Sequence, residues 1–161
     1  CRGFTKDKLL NITTQSMGPA GIIILLTGAG GVFKQMLVNT GAGEMLANYF
    51  ADQGVSILLF SFIAAALIRI LQGSATVAMI TAAGLTSPLL VETISEPQKA
   101  LIVIAIASGA TIMSHVNDSG FWLVSKYLGL SEKETFKSWT VMTTILALTG
   151  FLTASLLSLL F

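Results

Sequence analysis

Long apolar stretches interrupted by short polar gaps constrain this chain more than any other feature of its sequence. The four apolar blocks are residues 17–38, 55–90, 100–127 and 139–161. Hydrophobic residues make up 53% of the chain and charged residues 11%, whereas a soluble domain carries about 25% charged residues. Because a soluble domain could not cover so much apolar surface, the pattern predicts an all-α protein embedded in a lipid bilayer.

The second block, 55–90, is long for one spanning helix and short for two helices with a turn. The flanking charges decide its path, since cytoplasmic loops are enriched in lysine and arginine. Basic residues cluster near the amino end and in 126–137, and 39–54 has none. Both basic segments lie on the cytoplasmic side only if the second block enters and leaves on one face. We therefore predict three transmembrane segments, the third broken in its middle, and one re-entrant helical hairpin.

The polar tip of this hairpin is the first candidate binding region. Backbone that leaves a helix at membrane depth is tolerated only inside protein or beside water, so the tip indicates a cavity. Gly73 allows a tight turn, and Ser74 is a good N-cap for a helix that starts at Ala75. The candidate substrate-binding residues here are Arg69, Gln72, Gly73, Ser74 and Thr76. Arg69 is expected to bind a substrate carboxylate, to pair with Asp118, or to snorkel to the surface.

The second polar gap, 114–120, interrupts the third block. It holds Asp118 and His115, the only acidic residue and the only histidine deep in an apolar block. Asp118 would exchange a proton if burial favoured its neutral form, and an imidazole changes charge near physiological pH. Both are therefore candidates for proton coupling, and Asn117 is a candidate substrate contact. The structural alternatives are that Asp118 caps the half-helix 120–128 and that His115 is a core residue.

Two further features have mainly structural interpretations. The glycine-rich run 28–31 permits close helix contact or a kink. Lys34, just after it, either snorkels to the outer interface or faces the cavity. Trp122 and Trp139 flank the basic loop at heights that fit an interfacial aromatic belt.

Three ordered groups of segments carry a family resemblance. They are 28–35, then 69–78 with 81–84, then 114–124 with 135–139. The third group is the most specific, because His-Val-Asn-Asp beside Gly-Phe-Trp is improbable by chance. At these residues the chain resembles the GntP (gluconate permease) family of proton symporters.

The resemblance implies uptake of gluconate or a related sugar acid with protons across the bacterial inner membrane; some relatives carry D-serine instead. It implies the inverted repeats, re-entrant hairpins and elevator-like motion of a broader ion-transporter superfamily. In that fold 72–76 is the hairpin tip and 114–119 the unwound part of its neighbouring helix. Only the final part of family members is matched. Residues 1–161 are therefore predicted to be the carboxy-terminal portion of a single transporter membrane domain, completed by polypeptide upstream of Cys1.

Two other classes of function stay open at this point. One is a membrane-embedded enzyme that uses His115 and Asp118 as an acid–base pair on one helix face. The other is a structural or assembly subunit. The expected partners are a small carboxylate, protons and the lipid bilayer, with the proton gradient as energy source, and assembly into a homo-oligomer stays open. We predict no metal or organic cofactor, and a net charge of +1 without a basic patch argues against nucleic acid.

Overall fold

The computed structural model describes residues 3–40, 45, 49, 52–53, 55–90 and 94–160. Its helices are α1 (Lys6–Asn39), α2 (Ile57–Gln72), α3 (Ala75–Thr86), α4 (Glu96–Thr111), α5 (Ser119–Leu128) and α6 (Glu132–Leu157). A 3₁₀ turn, Ser87–Leu89, follows α3, and a π-helical turn, Phe136–Thr140, lies within α6. These ranges contain no β-strand, so the predicted all-α class is confirmed.

Helix α1 begins well before the first apolar block. Residues 6–16, which precede the apolar block 17–38, are helical as well. The hydroxyl groups of Thr13, Thr14 and Ser16 each donate to the carbonyl four residues earlier, so these polar side chains are satisfied within the helix. The side chain of Lys34 and the surroundings of residues 29–31 lie outside the described part of the chain. The predictions made for them stay predictions.

The second apolar block forms an antiparallel pair of short helices, as the sequence predicts. Helices α2 and α3 have 16 and 12 residues, fewer than the roughly 20 that a spanning helix needs. Gly73 turns the chain with φ +77°, and the Ser74 hydroxyl caps α3 by accepting the Val77 N–H at 3.3 Å. At the other end, Ser61 and Thr86 share a buried hydroxyl–hydroxyl hydrogen bond of 3.1 Å.

The third apolar block is broken, also as predicted. Helix α4 ends at Thr111 and α5 begins at Ser119, and Met113 between them has φ 47°. Such a left-handed conformation is uncommon for a residue other than glycine and marks a true interruption of the helix. The expectation that His115 and Asp118 share a helix face is therefore wrong, because the segment that joins them is not helical.

Small residues let α2 and α4 approach closely. Ala65 on α2 and Ala105 on α4 are fully buried. A Cβ on Gly109 would lie only 2.3 Å from the Phe62 carbonyl oxygen. Phe62 stacks on Phe151 of α6 with ring centroids 4.3 Å apart. Helices α2, α4 and α6 therefore form one packed unit, in the manner of membrane helices that meet through small side chains.

This close approach gives a stability prediction for Gly109→Ala. The new methyl group would overlap the α2 backbone, and overpacking of this kind costs about 1–3 kcal/mol. We expect the variant to unfold at a clearly lower temperature in detergent, measured by the thermal loss of the monodisperse protein. Gly21→Ala is the matched control, since no heavy atom lies within 4 Å of its new Cβ. Equal stability of the two variants would contradict the close α2–α4 contact.

Within the described ranges, one helix is long and apolar enough to cross a membrane. It is α6, with 26 residues and a mean hydropathy of 1.7. Its apolar side chains largely point outward, as Ile145 and Leu152 do. Helices α2 and α3 are apolar but shorter.

Candidate transport site

A buried ion pair joins the two breaks. Arg69 lies in the last turn of α2, and Asp118 is the N-cap of α5. Their side chains are 6% and 11% exposed, and an Arg69 Nη donates to Asp118 Oδ2. A charged group in an apolar helix needs a partner or water. Of the interpretations open for Arg69, snorkelling is wrong because the side chain is buried, and pairing with Asp118 is observed.

The guanidinium group of Arg69 also holds the hairpin tip. Its second Nη donates to the carbonyl oxygen of Gly73, four residues further along the chain. Its Nε is buried and has no hydrogen-bond partner among the described residues. Arginine presents five N–H donors in a fixed fork, so one group can bridge two elements. Arg69 therefore connects the tip to Asp118, while its Nε–H stays without a partner among the described residues.

The carboxylate of Asp118 receives donors from three directions. Oδ2 accepts from Arg69 and from the Ser114 hydroxyl, and Oδ1 accepts from the Gly120 N–H at 3.0 Å. The helix-cap interpretation of Asp118 is therefore confirmed, and it coexists with the ion pair. His115 is half-buried, and its Nδ1 lies 2.9 Å from the Met113 carbonyl oxygen. Asp118, and not His115, is thus the titratable group that pairs with Arg69.

The two breaks touch through Gly73 and Asn117. A Cβ on Gly73 would lie 2.2 Å from the Asn117 carbonyl oxygen, so only glycine fits there. The Asn117 side-chain amide donates to the Ile70 carbonyl at 2.9 Å and satisfies part of the open end of α2. The tip and the break of the third block are consequently parts of one site.

The remaining candidate residues lie on the outer, solvent-exposed surface of the tip and beside it. Gln72 and Thr76 are exposed, and Ser74 is half-buried with its hydroxyl at the N-terminus of α3. Asn117 is exposed as well. A polar surface therefore lies beside the buried Arg69–Asp118 pair. The N-terminus of α3 adds the positive end of a helix dipole, which favours an anion.

Residues 1–160 match the family described as GntP family permease. The chain belongs to the GntP permease family. This GntP chain is 45% identical to a gluconate permease of Pseudomonas aeruginosa over 158 residues, 98% of the chain and 35% of that protein. It is 47% identical to the low-affinity gluconate transporter of Escherichia coli over 150 residues, 92% of the chain and 34% of that protein.

A third GntP relative is named for a different sugar acid. The Gnt-II system L-idonate transporter of Escherichia coli is 41% identical over 150 residues, 93% of the chain and 34% of that protein. The chain thus spans 35%, 34% and 34% of the length of these three curated relatives. No solved structure matches the chain. Membership of a permease family confirms the predicted family and favours a transporter over an enzyme. A further relative, from Escherichia coli, is named an inner membrane permease.

Helix α6 completes the site of this GntP chain in a way that the sequence analysis missed. The Trp139 indole donates to the Ser114 hydroxyl at 2.8 Å, Thr140 donates to the Ser114 carbonyl, and Thr143 accepts the Ser114 N–H at 3.2 Å. The Trp122 indole similarly donates to the Val116 carbonyl at 2.7 Å. The expected belt residues thus direct their N–H groups to the break. The available signal was a row of polar residues opening the fourth apolar block.

Proposed function

We propose that the chain is the carboxy-terminal portion of a symporter that takes up gluconate or a related sugar acid with protons across the bacterial inner membrane. The observation that carries this proposal is the buried Arg69–Asp118 pair at the contact between two helix breaks. A carboxylate substrate requires a cationic partner, and proton coupling requires a titratable group. A permease family with gluconate and idonate relatives supplies the substrate class.

The proposed topology has three spans and one re-entrant hairpin. Helix α1, the broken α4–α5 segment and α6 cross the membrane, whereas α2 and α3 enter and leave on the periplasmic face. The shortness of α2 and α3 supports this path. The basic loop 126–137 then lies in the cytoplasm, in agreement with the positive-inside rule. The arrangement suits one half of an inverted-repeat, ion-transporter-like fold, with the other half supplied by the rest of the polypeptide.

In this proposal the guanidinium group of Arg69 binds the substrate carboxylate. Its Nε is buried and lacks a partner among the described residues, so the donors reach the substrate only when the Arg69–Asp118 contact rearranges. Gln72, Ser74, Thr76 and Asn117 bind the sugar hydroxyl groups, and Gly73 brings the backbone of the tip close to the substrate. Hydroxyl and amide side chains can donate and accept in turn, which matches a polyhydroxylated acid.

Coupling follows from competition for the same guanidinium group. As the substrate carboxylate approaches Arg69, it weakens the Arg69–Asp118 contact, and the freed Asp118 carboxylate binds a proton from the entry side. The Arg69 charge is then balanced by the substrate and Asp118 is neutral, so no unpaired charge is buried. Release of substrate on the cytoplasmic side returns Asp118 to Arg69 and expels the proton. His115 remains the second candidate for the proton.

Transport by the full-length protein in proteoliposomes tests this function. We expect labelled gluconate to accumulate above its external concentration when the lumen is alkaline, and to stop accumulating when a protonophore collapses the gradient. Unlabelled L-idonate should compete, and D-serine should not. Accumulation of labelled D-serine without that of gluconate would instead support the alternative substrate. Equilibration without accumulation would rule out proton coupling.

Arg69→Lys tests the proposed carboxylate contact. Lysine keeps the positive charge but lacks the planar guanidinium group. It therefore cannot contact Gly73 and Asp118 together and also present a further donor to the substrate. We expect the gluconate concentration at half-maximal uptake to rise about tenfold, the equivalent of one lost hydrogen bond of about 1.4 kcal/mol. Initial uptake rates over a range of gluconate concentrations measure this. If the gluconate concentration at half-maximal uptake did not change, the substrate carboxylate would not bind at Arg69.

A further inference from the structure

All three polar groups of Ser114, its N–H, its carbonyl and its hydroxyl, form hydrogen bonds. Its N–H, carbonyl and hydroxyl each bond to one turn of α6, through Thr143, Thr140 and Trp139 respectively. The residue is 1% exposed. Ser114 lies outside any helix, so these bonds replace those that a helix would supply. Helix α6 therefore fixes both the position and the orientation of Ser114.

The direction of the hydrogen bonds at the Ser114 hydroxyl follows from its partners. An indole N–H can only donate, so the oxygen of Ser114 accepts from Trp139. The single hydroxyl hydrogen is then available for Asp118 Oδ2, which accepts it. The result is a one-way chain from Trp139 through Ser114 to Asp118, and such chains strengthen each member in a low-dielectric interior.

The backbone of α6 is irregular where this chain begins. Phe136–Thr140 forms a π-helical turn, which includes both Trp139 and Thr140. A π-helical turn shifts the register of the side chains that follow, and such turns are frequent at functional sites. Here the shifted segment directs Trp139 and Thr140 toward Ser114, on a helix whose other residues are mainly apolar.

We propose that Trp139 is a positioning residue for the proton site at Asp118, and that it acts through the Ser114 hydroxyl. The inference rests on the proposed function, because it assigns Trp139 to the coupling step. Without the indole N–H, the Ser114 hydroxyl is free to rotate away from Asp118. Asp118 then loses an oriented donor, while Arg69 and the outer tip residues keep their places. Coupling of protons to substrate movement should suffer more than substrate movement itself.

Two transport assays on the full-length protein separate these effects. One measures gluconate accumulation driven by a pH gradient, and the other measures exchange of labelled for unlabelled gluconate at equal pH. We expect Trp139→Phe to lower the ratio of accumulation to exchange by about tenfold, the scale of one lost hydrogen bond to a charged group. Tyr127→Phe is the matched control, because it also removes one polar hydrogen from an aromatic side chain, and Tyr127 is 84% exposed and takes no part in the site. Its ratio should stay that of the unmodified protein.

A second variant keeps the inference testable if Trp139→Phe folds poorly. Ser114→Ala removes the middle of the chain with a much smaller change and should lower the ratio similarly. The double variant should be no worse than Ser114→Ala alone, since both changes break one chain. Additive losses, an equal fall in both assays, or a Trp139→Phe ratio equal to that of Tyr127→Phe would each overturn the inference.

Asp118→Asn distinguishes failure of this inference from failure of the proposed function. If Asp118→Asn retains gradient-driven accumulation, the proton assignment itself fails, and the role of Trp139 fails with it. If Asp118→Asn loses accumulation while Trp139→Phe and Ser114→Ala behave as the unmodified protein, only the positioning role is overturned.

Discussion

Asp118→Asn is expected to abolish gradient-driven accumulation of gluconate. Asparagine has nearly the same shape and is a good N-cap, so α5 keeps its start. It cannot exchange a proton in the relevant range and carries no charge for Arg69. Removing one partner of a buried ion pair costs about 3–5 kcal/mol, so the variant should also be less stable. Uptake by proteoliposomes with an alkaline lumen, beside the thermal unfolding of the purified protein, measures both effects.

Glu96→Gln is the matched control for this change from carboxylate to amide. Glu96 pairs with Lys99 at 2.7 Å on the surface, with its side chain 86% exposed. Surface pairs of this kind contribute little, so accumulation should be unaffected. If Asp118→Asn retained accumulation, Asp118 would not be the residue that carries the coupling proton. His115→Gln would then be the variant to examine.

Gly73→Ala is expected to cost the protein both stability and transport. With φ +77°, alanine pays about 1–2 kcal/mol for the left-handed backbone. Its Cβ would also lie 2.2 Å from the Asn117 carbonyl oxygen, which is backbone and must move. The breaks would separate, and the bonds from Arg69 to Gly73 and from Asn117 to Ile70 would be lost. We expect uptake to fall below detection, measured per amount of folded protein.

Gly129→Ala isolates the contribution of backbone conformation. Gly129 has φ +64°, close to that of Gly73, and a Cβ added there would have no heavy atom within 4 Å. This variant should show a modest loss of stability, about 1 kcal/mol, and normal uptake. If both alanine variants transported equally well, contact between the two breaks would not be essential for function.

The parts of the structure that depend on local chemistry were predictable from the sequence. Gly73 and Ser74 specify a turn followed by a capped helix, and Asp118 specifies the cap of α5. The gap in the third block was predictable because polar residues interrupt an apolar run. The partner of Arg69 could be reduced to few alternatives, because a charge in an apolar helix needs compensation.

The contribution of α6 was not predictable in the same way. Trp139, Thr140 and Thr143 bond to Ser114, which is 25 to 29 residues away in sequence. Such contacts depend on how the helices pack, and no local pattern encodes them. The early start of α1 was missed for a different reason. Its first residues are polar, and the Thr13 and Thr14 hydroxyl groups donate to carbonyls of the same helix. The apolar run that marks the first block therefore begins after the helix does.

The buried hydroxyl pair Ser61–Thr86 has a consequence for how the protein moves. This hydrogen bond holds α2 to α3 at the end away from the tip, and the bond from Arg69 to Gly73 holds the tip itself. The two contacts together oppose separation of the helices. In the proposed transport cycle we therefore expect α2 and α3 to move as one rigid unit. Spin labels at Leu59 and Ala83 should therefore keep one fixed separation throughout the transport cycle.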